Sequence, residues 1–187
     1  MSDEDKQDFY YETRFAAVMY GGISLAIYIN GVAQDLYRMG RATARKEDGS
    51  DLEPEINKLD PSEKVYREIG EELRTKFVVD ILSGTSAGGL NAIFLAKALA
   101  NNQEFSKLAE VWKNVADVNT LIYDRESVKG LPVRLEVPEL PGYLMNSQRM
   151  AYLLYNAFND MDASKPIDHA SDFVSELDLY VTATDLY

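Results

Sequence analysis

The chain of 187 residues contains no cysteine and a single histidine, His169. Without cysteine there is no disulfide and no thiolate metal site, and one histidine among scattered carboxylates gives no ligand spacing for zinc or calcium. No cofactor or metal is therefore expected. Cationic residues are scarce: 19 Lys and Arg stand against 31 Asp and Glu, a net charge of −12. That balance excludes the clustered cations a nucleic-acid partner requires, and it disfavours strong docking on anionic membranes. An apolar surface would still permit peripheral contact with lipid. The start, Met1-Ser2-Asp3-Glu4-Asp5-Lys6, lacks the basic and apolar regions of a signal peptide, so the expected location is cytoplasmic. One stretch, Phe15 to Gln34, carries no charge and is long enough to span a bilayer. Gly21-Gly22, Ser24, Asn30, Gly31 and Gln34 interrupt its apolarity, and a buried strand followed by a buried helix accounts for it better.

What is present is an alternation of strand-like and helix-like runs. The patterning predicts a strand over about 14–20, a helix over 25–39, a charged insertion over about 41–62 with Pro54 and Pro61, and a helix over 63–75. A strand over 77–82 and helices over 88–101 and 104–116 follow. Asp124 to Ser147 is irregular, with Pro132, Pro138 and Pro141, and its Gly130 to Leu135 portion is read chiefly as a connecting loop, with a lid or pocket border as the alternative. Ser147 to Met161 reads as a helix with Met150, Leu153, Leu154, Ala157 and Phe158 toward the core. The alternation predicts a single three-layer α/β/α domain over 1–187 with a mostly parallel central sheet. Such sheets bind ligands beyond the C-terminal ends of their strands.

Two motifs fall at such strand ends. Phe77-Val78-Val79-Asp80-Ile81-Leu82 leads into Gly84-Thr85-Ser86-Ala87-Gly88, and an Ala- and Leu-rich, proline-free segment follows. Strand, Gly-x-Ser-x-Gly and helix together describe a nucleophile elbow, in which a sharp turn exposes the serine hydroxyl. Gly84 and Gly88 allow strand and helix to approach closely, and the helix start behind Ser86 offers free N–H groups to an oxyanion. Upstream, Arg14 to Tyr20 runs into Gly21-Gly22-Ile23-Ser24, a turn whose bare backbone N–H groups could serve as a second oxyanion donor.

These segments resemble the patatin-like phospholipases. Gly84-Thr85-Ser86-Ala87-Gly88-Gly89-Leu90-Asn91-Ala92 is the most specific part. Val18-Met19-Tyr20-Gly21-Gly22-Ile23-Ser24-Leu25-Ala26-Ile27-Tyr28 resembles the large bacterial patatin-related proteins, and Leu177 to Leu186 resembles a patatin core strand ending in Ala-Thr-Asp-Leu. The resemblance implies a lipid acyl hydrolase working through a Ser–Asp dyad and an acyl-enzyme, on a lipid or ester substrate. Ser86 would be the nucleophile, and the N–H groups of Gly21, Gly22, Ile23 and Ala87 would form the oxyanion hole. Two departures stand out. The family's glycine-rich loop reads Gly-Gly-Gly-x-Arg/Lys-Gly, whereas Tyr20, Ser24 and Leu25 occupy its first glycine, basic and last glycine positions here. The dyad aspartate of the family lies in Asp-Gly-Gly or Asp-Gly-Ala downstream of the serine. The only Asp-Gly here, Asp48-Gly49, is upstream. The expectation is an N-terminal portion of a longer protein, with its aspartate beyond the end of this chain.

Three rivals remain. A Ser-His-Asp hydrolase would need His169 with Asp124, Asp160 or Asp162 as its acid. A patatin fold without chemistry would be an interaction or regulatory domain. A phosphate-binding module at the Ser86 helix lacks the Gly-Lys-Ser/Thr ending of a phosphate-binding loop.

Overall fold

The β-branched and apolar runs pair in chain order. Strands β1 (Tyr11–Met19), β2 (Thr75–Thr85) and β3 (Asp178–Thr182) form a parallel sheet of order β1-β2-β3. Parallel neighbours need long crossovers. The first is filled by α1 (Ala26–Thr43) and α2 (Pro61–Glu72), the second by α3 (Ala87–Ala100), α4 (Lys107–Val115) and α5 (Ser147–Ser164). The computed structural model describes residues 11–45, 59–115, 122, 129, 146–164 and 171–183. The acidic start, Asp48-Gly49 with the middle of the charged insertion, Asp124, the stretch from 130 to 145 with its three prolines, His169, and Thr184-Asp185-Leu186 lie outside the described residues.

The elements run longer than their sequence patterns, for identifiable reasons. α1 continues to Thr43 because α2 supplies partners for its last turn: Arg67 Nη1 donates to the Ala42 carbonyl at 3.0 Å, and Arg41 pairs with Glu63 at 3.4 Å. α2 starts at Pro61 rather than 63 because Asp60 and Glu63 form a capping box. The Glu63 N–H donates to Asp60 Oδ1 at 2.9 Å and the Asp60 N–H to Glu63 Oε2 at 2.8 Å, satisfying donors a helix start leaves free. Both ends of the expected insertion are thus helical. A bulge opposite Phe15 and Ala16 places Asp80 beside the strand ladder, where Arg14 Nη1 meets its carboxylate at 2.7 Å.

α3 is apolar all round, as a helix at the centre of a fold must be. It packs on all three strands and on α1. Phe94, Leu95 and Leu99 join Val79, Leu82, Phe105, Leu108 and Met161 in a single core. The α5 face expected to turn toward the core does so: Ala157 is buried in it, half-buried Met150, Leu153 and Leu154 pack against it, and half-buried Phe158 stacks on Phe94 at 4.1 Å. The uncharged stretch from Phe15 divides into β1, a tight turn and the first half of α1. Among the described residues no helix is long and apolar enough to cross a membrane.

Candidate active site

Ser86 joins β2 to α3 with φ 52° and ψ −125°. That left-handed backbone costs an L-residue about 1–3 kcal/mol and persists only where the surroundings enforce it. Three glycines do so. A Cβ on Gly84 would stand 2.5 Å from the Gly88 carbonyl oxygen, and one on Gly88 would stand 2.2 Å from that of Met19. The ends of β1 and β2 therefore meet the first turn of α3 with no room for a methyl group. Gly89 closes the arrangement on the third strand, its Cβ position lying 3.1 Å from Val181. The outcome is an exposed Ser86 on a buried base of Ala87, Gly88 and Gly89.

The first backbone bond of α3 runs from the Leu90 N–H to the Ser86 carbonyl at 3.0 Å. The N–H groups of Ala87, Gly88 and Gly89 precede it and have no acceptor within the helix, so the positive end of the helix dipole sits directly behind the serine.

The glycine loop after β1 arrives at the same place. A Cβ on Gly21 would lie 2.8 Å from Ser86 Cβ and 3.1 Å from the Thr85 carbonyl oxygen, so only glycine fits against the serine. Gly22 has φ 146°, again a glycine conformation, and Ile23 opens a 3-10 turn (Ile23–Leu25) closed by the Leu25 N–H on the Gly22 carbonyl at 3.1 Å. The two strand-end motifs, separate in sequence, are thus one cluster. Tyr20, Ser24 and Leu25, the departures from the family loop, are exposed beside it.

Three of the described aspartates have partners elsewhere. Asp162 lies on α5 and takes hydrogen bonds from Lys97 Nζ at 2.5 Å and Gln103 Nε2 at 3.0 Å, which hold its carboxyl below the usual range. Lys97 is three turns along α3 from Ser86, about 16 Å by helical rise. Asp80 is turned to Arg14, Asp172 to Asn102, and Asp160 is exposed on α5. Asp124 and His169 lie outside the described residues.

Sequence reasoning passed over one group. Asn91 is fully buried in the otherwise apolar α3 and hydrogen-bonds to Ala87, Ala26, Asn30 and Trp112. Its signal in the sequence was an asparagine among the apolar residues that follow the Gly-x-Ser-x-Gly turn.

Comparison with known proteins fits this geometry. A family model described as patatin-like phospholipase matches residues 18–185. A Mycobacterium tuberculosis protein described as an uncharacterized membrane protein is 31% identical over 121 residues, which is 63% of this chain and 11% of that protein. The chain thus matches about a tenth of its relative's length. No solved structure matches. With the strained serine, the glycine loop packed on it and a family match from the end of β1 to beyond β3, the chain belongs to the patatin-like phospholipase family.

Proposed function

We propose that this chain carries the nucleophile and the oxyanion-binding backbone of a lipid acyl hydrolase of the phospholipase A or esterase type. The observation that carries the reading is the exposed, left-handed Ser86 with Gly21 packed on its Cβ. Ser86 Oγ attacks the acyl carbon while a carboxylate accepts its proton. The tetrahedral oxyanion is held by the N–H groups of Gly21, Gly22, Ile23 and Ala87. Its collapse breaks the ester bond, and the departing alcohol takes the proton from the carboxylic acid. Water then attacks the acyl-enzyme, with the carboxylate again as base, and releases the fatty acid. Removal of one oxyanion-hole donor raises the barrier by about 3–4 kcal/mol in one well-studied protease. The base, an aspartate, belongs outside the described residues, since the described aspartates named above are engaged elsewhere or exposed on α5. Exposed Tyr20, Leu25 and Tyr28 near the glycine loop support an apolar substrate and peripheral contact with lipid.

The test is a fluorophosphonate probe read by intact mass. It is applied to this chain and to the protein of the complete reading frame, each beside its Ser86→Ala variant. The reading expects one adduct on the complete protein that disappears with Ser86→Ala. Labelling of this chain alone would locate the base within its 187 residues. A folded complete protein that takes no adduct would leave the non-catalytic interaction domain as the better description. His169→Ala is expected to leave labelling unchanged. A large loss would replace the Ser–Asp dyad with a Ser-His-Asp triad.

A further inference from the structure

We infer that Asn91 is a positioning residue that locks the elbow helix to the glycine loop, so that Ser86 and the loop's backbone donors face one reacting atom; this rests on the hydrolase reading above. Its side-chain amide uses every hydrogen-bonding site it has. Nδ2 donates to the Ala87 carbonyl at 3.0 Å and to the Ala26 carbonyl at 3.3 Å. Oδ1 accepts from Asn30 Nδ2 at 3.0 Å and from Trp112 Nε1 at 3.3 Å. Asn91 is 0% exposed, and Asn30 and Trp112 are buried beside it.

The partners explain the assignment. Ala87 is the residue after the nucleophile and heads α3. Ala26 begins α1, directly after the 3-10 turn that continues the Gly21-Gly22 loop. One amide group therefore bonds a carbonyl at the head of α3 and a carbonyl at the head of α1, the two helices that follow the two halves of the oxyanion-binding backbone. Apolar packing between α1 and α3 would allow small sliding, because dispersion contacts carry no direction. The two bonds from Nδ2 to the Ala87 and Ala26 carbonyls do carry direction in a dry environment and tie the two helix starts together, while Asn30 and Trp112 hold the amide from its oxygen side. Stabilising an oxyanion needs that precision, since displacement of about 1 Å costs about a hundredfold in rate.

Asn91→Ser separates the roles. A serine still reaches the carbonyl four residues earlier in its own helix, Ala87, but is too short to bridge to Ala26. The readout independent of catalysis is amide hydrogen exchange. Exchange is expected to rise roughly tenfold or more at the first hydrogen-bonded amides of both α1 and α3, with α2 unchanged. In the complete protein, kcat on a soluble ester is expected to fall about a hundredfold with KM unaltered. Trp112→Phe removes one bond to Oδ1 but leaves the bridge, so exchange should rise in α4 and kcat should hold. Asn91→Ala serves if the serine variant does not fold. The inference is overturned if a folded Asn91 variant leaves exchange at both helix starts unchanged, or if Trp112→Phe lowers kcat as much as Asn91→Ser. Should the wild type show no Ser86 reactivity at all, the hydrolase reading fails, and hydrogen exchange still decides whether Asn91 couples the two helix starts.

Discussion

Ser86→Gly is expected to melt at a higher temperature than the wild type while losing all reactivity toward acyl and phosphonyl probes. The two effects share one cause. At φ 52° and ψ −125° the serine occupies a backbone conformation that strains any residue with a Cβ by about 1–3 kcal/mol. Glycine relieves that strain but adds freedom to the unfolded chain, which offsets about 0.5–1 kcal/mol of the gain. The net stabilisation of about 1 kcal/mol corresponds to a rise of about 2–4 °C for a chain of this size. Ser86→Ala keeps the strain and is expected to melt close to wild type. On the proposed hydrolase reading, either variant should lower ester hydrolysis by as much as about 10⁶-fold, the scale seen when a serine hydrolase loses its nucleophile. Scanning calorimetry checks the first half of the prediction and ester hydrolysis the second. A glycine variant that melts lower than wild type would show that the turn is not the strained element described here.

Among the described glycines, Gly88 is where an added methyl, as in Gly88→Ala, is expected to be most damaging. Its Cβ would stand 2.2 Å from the Met19 carbonyl oxygen, 2.6 Å from the Met19 carbonyl carbon and 2.7 Å from the Tyr20 carbonyl oxygen. All three obstacles are backbone, so no side chain can swing aside. β1 must move off α3, which puts the cost at the upper end of the roughly 1–3 kcal/mol typical of overpacking. The expected loss in melting temperature is about 6–12 °C. Because the Gly21-Gly22 loop hangs from that end of β1, labelling of Ser86 should vanish even where the variant folds. Gly31→Ala is the matched control. Nothing lies within 4 Å of its Cβ position on the exposed face of α1, so alanine there should stabilise by about 0.5–1 kcal/mol. Thermal melts of the pair decide the point, and equal effects from both would overturn the packing argument.

Both predictions turn on residues that were legible before any coordinates. A strand, a Gly-x-Ser-x-Gly turn and an apolar helix follow one another along the chain, and each is a local pattern: β-branched residues in a row, glycines at fixed offsets, alanine and leucine without proline. The alternation of these patterns points to the parallel sheet, because parallel neighbours need crossovers long enough to hold a helix. Element ends were less legible. The start of α2 depends on a reciprocal pair, Asp60 and Glu63, and the end of α1 on Arg67, which lies on another helix.

Local order along the chain is enough to single out Ser86, the glycine turn and the fold class, since each rests on residues within a few positions of one another. That Gly21 lies against Ser86 is a matter of packing, because the two are brought together by β1 and β2 pairing side by side. So is the role of Asn91, whose partners come from α1 and α4 as well as from its own helix. Polarity in an apolar segment marks such a residue in one dimension. What it holds is decided only when the helices carrying its partners are in place, because a hydrogen bond depends on distance and direction between groups far apart in the chain.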